Sequence, residues 1–247
     1  MIRISAISYL NSLPFIWCLE RSKLIGEFKL SYDTPSQCAD KLLNNNADIG
    51  LIPTVETLVM PQHYIISDLC IGADNTVRTV VLASEKPLSE VSTVYLDCHS
   101  RTSVALTKIL AKHYWKIAPD WINFAGDIMK YPRHSSSAAV VIGDKAFEMQ
   151  APYIIDLAGE WRKFTGLPFV FACWTANKPI APQFIKRFNE AFEKMNEKMS
   201  EIAEYYKNKA PDGVDLLEYW TNNISYQLTD EKRNGLKMFL KYASEMR

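Results

Sequence analysis

The sequence predicts an α/β protein folded as two similar lobes, and three observations predict it. Strand-like and helix-like segments alternate from Ile2 to Met60, the order that builds a largely parallel sheet. The alternation breaks near Cys70 to Asn75 and resumes as a second βα series from Val94 to Ile142. Ala47-Asp48-Ile49-Gly50 and Val140-Val141-Ile142-Gly143 each close a short apolar strand with glycine just ahead of a helix, so the two halves echo one another. At 247 residues, 48% of them apolar, the chain has the length for one large domain or two modest lobes.

Residues 2–8 alternate apolar with other positions and read as a strand, followed by a helix that starts over Pro14 to Glu20. Lys29 to Tyr32 is a second strand. Pro35 to Leu43 is a second helix, because Asp33-Thr34 offers a capping oxygen and the N–H that Pro35 lacks has no partner in a first turn. The apolar run from Ala47 to Ile52 stops at Pro53, with a helix expected through Met60. Cys70 to Asn75 reads as a long connection, and Val77 to Ser84 as a β-rich crossing into the second lobe. That lobe takes strands at Val94–Leu96, Ile122–Phe124 and Ala138–Ile142 and a helix from Thr102 to Tyr114. Tyr153 to Leu157 and Leu167 to Trp174 are β-rich and carry the chain back.

After Pro182 the apolar residues Phe184, Phe188, Phe192, Met195, Met199 and Ile202 recur every three or four positions, a helical stripe that belongs in a core. Further helices run from Val214 to Asn222 and from Thr229 to the end. These C-terminal helices are expected to brace the first lobe and to carry stability rather than chemistry. The lobes are accordingly expected at 1–76 plus 176–247 and at 77–175, the second including the hinge crossings.

Lys and Arg number 28, as do Asp and Glu, so no overall field draws the chain to nucleic acid or to an anionic membrane. Any anion has to be held by a local arrangement. No run of about eighteen apolar residues occurs, and the first residues lack a basic leader with a long apolar stretch, so a cytoplasmic protein is expected. Cys18, Cys38, Cys70, Cys98 and Cys173 are odd in number, scattered and free of any C-x-x-C pair, which points to buried reduced thiols rather than a disulfide frame or zinc site.

In open α/β sheets ligands sit beyond the carboxyl ends of the strands, so the residues leaving each strand are the candidates. After the first strand, Asn11 and Ser12 precede a proline-initiated helix, where they serve either as caps or as ligand contacts. In Asp48-Ile49-Gly50-Leu51-Ile52-Pro53-Thr54-Val55-Glu56, glycine permits close backbone approach, and Asp48 reads as a turn acceptor. Asp97-Cys98-His99-Ser100-Arg101-Thr102-Ser103 is a hydroxyl-rich turn into a helix, where hydroxyls, a guanidinium and unpaired helical N–H groups suit a carboxylate better than a mere cap. Gly143-Asp144 leaves another strand, and Arg78-Thr79 is expected to face the cleft from the crossing.

The same segments carry a resemblance. Tyr9-Leu10-Asn11-Ser12-Leu13-Pro14, Asp48 to Pro53 with Glu56, Ser100-Arg101-Thr102-Ser103 and Ile142-Gly143-Asp144 are similar in kind and order to the chorismate dehydratase family of the futalosine route to menaquinone. The resemblance runs to about Trp174. It implies a two-lobed type-II periplasmic-binding-protein-like fold with C-terminal helices, used by an enzyme without metal or organic cofactor. It assigns catalytic roles to Asn11 and Thr79, threonine standing where the family more often has serine. Ser12, Ser100, Arg101, Thr102 and Ser103 would hold a substrate carboxylate, with Gly143 and Asp144 on the opposite wall.

The implied reaction removes the C4 hydroxyl and C3 proton of chorismate, a small-molecule partner, leaving 3-[(1-carboxyvinyl)oxy]benzoate and water. Of the histidines only His99 lies at a strand end near the expected site; His63 and His134 fall in connections, and His113 lies on a helix. The base is then the substrate's own enolpyruvyl carboxylate, with Asp97 and Asp144 as rivals. Two other readings stay open: the related enzyme that makes 1,4-dihydroxy-6-naphthoate, and a non-catalytic binder or sensor of small anions on the same fold. No P-loop, dinucleotide glycine fingerprint, metal-ligand helix or nucleophile elbow supports nucleotide, metal or acyl-transfer chemistry.

Overall fold

In the computed structural model, which describes residues 1–97 and 100–246, the chain builds two mixed sheets. The strands in chain order are β1 (Ile2–Ile7), β2 (Phe28–Asp33), β3 (Ile49–Pro53), β4 (Tyr64–Ala73), β5 (Val80–Ser84), β6 (Thr93–Asp97), β7 (Asp120–Phe124), β8 (Ser137–Ile142), β9 (Tyr153–Asp156), β10 (Phe169–Ala176) and β11 (Ser225–Gln227). The helices are α1 (Leu13–Glu20), α2 (Pro35–Leu43), α3 (Arg101–Leu110), α4 (Leu157–Thr165), α5 (Pro182–Glu190), α6 (Met199–Tyr206), the short α7 (Leu216–Glu218) and α8 (Asp230–Ser244).

The six-stranded first sheet runs β11-β4-β10-β3-β1-β2 and the five-stranded second runs β7-β6-β8-β5-β9. In each sheet a parallel unit is continued by antiparallel strands: β2-β1-β3 and β7-β6-β8 are parallel, whereas β10, β4, β11, β5 and β9 pair antiparallel. The largely parallel sheet expected from alternation is therefore only half of each sheet. Strands that return after the chain crosses between sheets run the other way. β10 lies between β3 and β4, in the first sheet, although 77–175 was the span expected for the second lobe.

β3, β5, β8 and β10 are buried at every position, which is why they read as unbroken apolar runs rather than as alternating strands. The stripe from Phe184 to Ile202 is buried as expected, and Phe192 packs on Phe15 and Trp174 with ring centroids 5.3 and 6.1 Å apart. The helix carrying it is broken, α5 ending at Glu190 and α6 starting at Met199. At Thr34 the capping signal is realised reciprocally: its Oγ1 accepts the Gln37 N–H (3.4 Å) and its own N–H donates to Gln37 Oε1 (2.9 Å).

Other expectations are corrected. β4 occupies much of the stretch that read as a connection, held by β10 on one side and β11 on the other. Helices expected after Pro53 and Gly143 are single 3-10 turns, Thr54–Leu58 and Asp144–Glu148. Helix α4 was unforeseen; Asp156 caps it, with Oδ1 accepting the Gly159 N–H at 2.9 Å. The other oxygen of that carboxylate accepts the N–H groups of Val77 (3.0 Å) and Arg78 (2.8 Å) and so straps the crossing, where Arg78 sits at φ +64°. A left-handed non-glycine residue costs ~1–2 kcal/mol, and the doubly engaged Asp156 holds it there.

Candidate functional site

The turns that leave β1, β3 and β8 and the N-terminus of α3, which follows β6, meet at one cleft between the two sheets. Ile71, Val77, Val80, Ile142 and Phe171 give it an apolar wall, and Tyr9, Asn11, Ser100, Arg101, Thr102 and Ser103 bring the polar atoms. The described lining residues include no carboxylate and no imidazole.

Ser100 holds the N-cap position of α3, yet its hydroxyl makes no capping bond. Its Oγ is buried, lacks a hydrogen-bond partner, and belongs to a residue only 3% exposed. The first helical bond of α3 runs from Val104 N–H to Ser100 O (3.0 Å), so the N–H groups of Arg101, Thr102 and Ser103 precede it at the positive end of a ten-residue helix. A hydroxyl without a partner beside the first N–H groups of a helix is the kind of arrangement that suits an anion. A buried polar atom left without a partner costs ~1–3 kcal/mol, and a carboxylate placed here would remove that cost.

Asn11 supplies the second such atom, its Oδ1 being buried without a partner at the cleft. Ser12 does not join it. The Ser12 hydroxyl turns back to donate to the carbonyls of Ile7 and of Tyr9 (2.9 Å), and the side chain stabilises the turn instead of lining the cleft. Ser12, expected as a substrate contact, is thus placed outside the cleft lining.

Three contacts join the sheets around this space. Arg101 reaches across to Glu56 Oε2 (3.0 Å) and Asp40 Oδ1 (2.8 Å), so its charge is already matched by two carboxylates. Thr102 Oγ1 accepts the Val55 N–H at 3.3 Å. Asp144 Oδ1 accepts the Leu10 N–H at 2.9 Å, and burial pushes its carboxyl up to about 6, with that N–H pulling the other way. Gly143 stands at φ +71°, and a Cβ there would lie 2.9 Å from the Tyr9 ring, so only glycine lets the two turns meet this closely. Arg101, Thr102, Ser103 and Gly143 all border the cleft; Asp144 lies behind Gly143 and does not.

Thr79 is placed differently from expectation. It is fully buried behind the cleft, and its hydroxyl is 2.6 Å from the Tyr219 hydroxyl. Arg78 points outward, its guanidinium 5.3 Å over the Phe147 ring. Asp97 is buried and bridged by Lys145 Nζ at 2.5 Å. Asp48 is held well below the usual carboxylate range by Arg3 and also by Lys178, in keeping with a structural acceptor. Cys98 and His99 lie outside the described residues. The other four cysteines are buried, and burial pushes the Cys18, Cys38 and Cys173 thiols up to about 12. Among the described residues no group of His, Cys, Asp and Glu is arranged to hold a metal ion, and no helix is long and apolar enough to cross a membrane.

Residues 2–245 match the menaquinone biosynthesis family. The chain belongs to that family. It is 27% identical over 244 residues to the chorismate dehydratase of Campylobacter jejuni, covering 95% of this chain and 94% of that one. It is 24% identical to the chorismate dehydratase of Thermus thermophilus, covering 86% and 85%. Among solved structures it resembles a protein of Archaeoglobus fulgidus (TM-score 0.74, 14% identity, 99% and 97% covered). It also resembles a Candida albicans protein with the generic periplasmic binding protein fold (0.66, 11%, 99% and 90%) and the periplasmic aliphatic sulphonate binding protein of Escherichia coli (0.62, 13%, 99% and 86%). These likenesses establish the two-lobed periplasmic-binding-protein-like fold.

In this member of the menaquinone biosynthesis family the turn that carries Asn11 is held from behind by residues that were not singled out for the site. Trp220 Nε1 donates to Leu10 O and the Tyr226 hydroxyl to Asn11 O, both at 2.9 Å. Their only signal in the sequence is a cluster of aromatic residues with polar tips, Tyr219-Trp220 and Tyr226, in an otherwise polar stretch.

Proposed function

We propose that the protein is a chorismate dehydratase, a lyase that converts chorismate to 3-[(1-carboxyvinyl)oxy]benzoate and water in menaquinone biosynthesis, acting in the cytoplasm on a small-molecule substrate. The observation that carries the reading is the pair of buried unpartnered oxygens, Asn11 Oδ1 and Ser100 Oγ, set in one largely apolar cleft. Family membership and the two dehydratase relatives support the same reaction.

The ring carboxylate lies at the N-terminus of α3, against the Ser100 hydroxyl and the N–H groups of the first turn, with Thr102 and Ser103 beside it. Arg101 acts as a bridge between lobes rather than as the carboxylate's partner, because Glu56 and Asp40 already engage it. Asn11 faces the ring from the other sheet and accepts a hydrogen bond from the C4 hydroxyl, or donates to it as it leaves. The C3–H bond breaks, its electron pair enters the ring, and the C4–O bond breaks. The leaving hydroxide takes up the proton removed from C3, passed on by the group that accepts it, and departs as water.

A base is still required. With no carboxylate or imidazole among the described residues lining the cleft, the substrate's own enolpyruvyl carboxylate takes the C3 proton. Asp144 is engaged with Leu10 and Asp97 with Lys145, which weakens the case for either as base. Holding a flexible dianion in the reactive conformer is then the main task of the protein, and such positioning can be worth on the order of 7 kcal/mol or more. Thr79 acts from behind, through Tyr219 and through its carbonyl, which accepts the Gly143 N–H at 2.9 Å. The two sheets act as lobes that close on the substrate, with 74–79 and 157–168 as the crossings.

The test is to incubate the purified protein with chorismate and follow the product by mass spectrometry against a no-enzyme control. Protein-dependent loss of one water, abolished at least about a hundredfold in Asn11→Ala with binding retained, is the expected outcome. Unchanged chorismate accompanied by a raised melting temperature would instead favour an anion binder.

A further inference from the structure

The turn that presents Asn11 is tied from behind by its carbonyls. Ser12 takes those of Ile7 and Tyr9, Trp220 Nε1 takes that of Leu10, and the Tyr226 hydroxyl takes that of Asn11 itself. Four carbonyls are thus held while the Asn11 amide oxygen is left with no partner. Trp220 and Tyr226 are both buried, and neither is among the residues that line the cleft. Burial pushes the Tyr226 phenol far above its ordinary value, and it stays a neutral donor. Its ring packs edge-on against Phe15 at 5.2 Å, a contact that phenylalanine would keep.

We infer that Tyr226 and Trp220 are positioning residues for the reaction: by fixing the backbone of Leu10 and Asn11 they set how far the Asn11 amide projects into the cleft. The inference rests on the reading of Asn11 as the group that works on the substrate. Both donors come from the C-terminal stretch, 210 or more residues beyond the turn they hold, and each spends its one polar hydrogen on that turn. Bracing of the lobe in general needs only their apolar surface. A displacement of about 1 Å at a reacting group can cost about a hundredfold in rate, so a single lost tether is enough to register in turnover.

The experiment is a kinetic cycle of Tyr226→Phe and Asn11→Ala, with Trp220→Phe as a second variant should Tyr226→Phe fold poorly. Tyr226→Phe is expected to lower kcat about tenfold while KM stays within about twofold, and to have almost no further effect when Asn11 is already alanine. Equal losses in both backgrounds, or undiminished kcat in Tyr226→Phe, would overturn the inference. The side-chain amide resonance of Asn11, located by its disappearance in Asn11→Ala, gives a readout that does not depend on chorismate. A shift or broadening in Tyr226→Phe supports the positioning role, and superimposable spectra refute it. If the wild-type protein leaves chorismate unchanged, the proposed function falls while this resonance still decides the tether.

Discussion

Asp144 Oδ1 accepts the backbone N–H of Leu10 at 2.9 Å, so that the turn after β8 in one sheet holds the turn after β1 in the other. The carboxylate making this bond is mostly buried, and burial raises it from 3.8 to about 6. In the window between those values the native state keeps a proton that the unfolded chain has lost. The native state therefore binds more protons there, and its stability falls as pH rises from about 4 through about 6, then levels off. Asn keeps the acceptor and does not titrate. Urea unfolding at a series of pH values should show Asp144→Asn gaining on the wild type as pH rises through this window. A difference that stays constant with pH would mean that the carboxyl is not perturbed.

Ser100→Ala should separate stability from binding. Removing a buried oxygen without a partner relieves ~1–3 kcal/mol, so the ligand-free variant should melt at the same temperature as the wild type or higher. Affinity for a ring carboxylate such as benzoate should fall about tenfold, measured by calorimetry. Lower melting with unchanged affinity would show the hydroxyl to be a structural group.

Arg101→Gln should act on closure. It strands Glu56, whose side chain is 8% exposed, and breaking a buried pair costs ~3–5 kcal/mol, discounted here to roughly 2 because Arg101 is itself about a third exposed. Adding Glu56→Gln should recover most of the loss, whereas a guanidinium serving only the substrate would leave stability untouched in both. Small-angle scattering should report a larger radius of gyration for the single variant.

Thr79 distinguishes a tether from a catalytic hydroxyl. Thr79→Val leaves the buried Tyr219 hydroxyl without its 2.6 Å partner and should cost ~1–3 kcal/mol, whereas Thr79→Ser should fold like the wild type. Full stability together with lost turnover in Thr79→Val would mean that the hydroxyl reaches the substrate.

The legible parts of the sequence were those whose signal is local. Pro35 after Thr34, the stripe from Phe184 to Ile202 and the apolar runs of β3 and β8 each announce their element within a few residues, and each is found. The hydroxyl-rich turn at Ser100 was legible as a helix start, and α3 begins there with the Ser100 hydroxyl left without a partner. What escaped depends on partners far along the chain. β4 is a strand because β10 and β11 flank it, and Arg101 is occupied because the fold brings Glu56 and Asp40 to it. Ser12 and Thr79 carry the right chemistry in the right segments, yet a rotation of each side chain toward a carbonyl or a phenol takes it away from the cleft. Side-chain direction of that kind is set by packing, which spacing does not report.

The second sheet is drawn from one uninterrupted stretch between Val80 and Asp156, whereas the first needs β1 to β4, then β10, then β11 near the far end of the chain. On a ribosome, where domains fold as they emerge, the later-numbered sheet is complete while the earlier-numbered one still lacks two members. Asn11 is synthesised 215 residues ahead of Tyr226. A nascent chain can thus own every cleft residue from Ile7 to Ala172 while the Asn11 turn is still untied, so competence arrives only after the stretch carrying Trp220 and Tyr226 has left the exit tunnel.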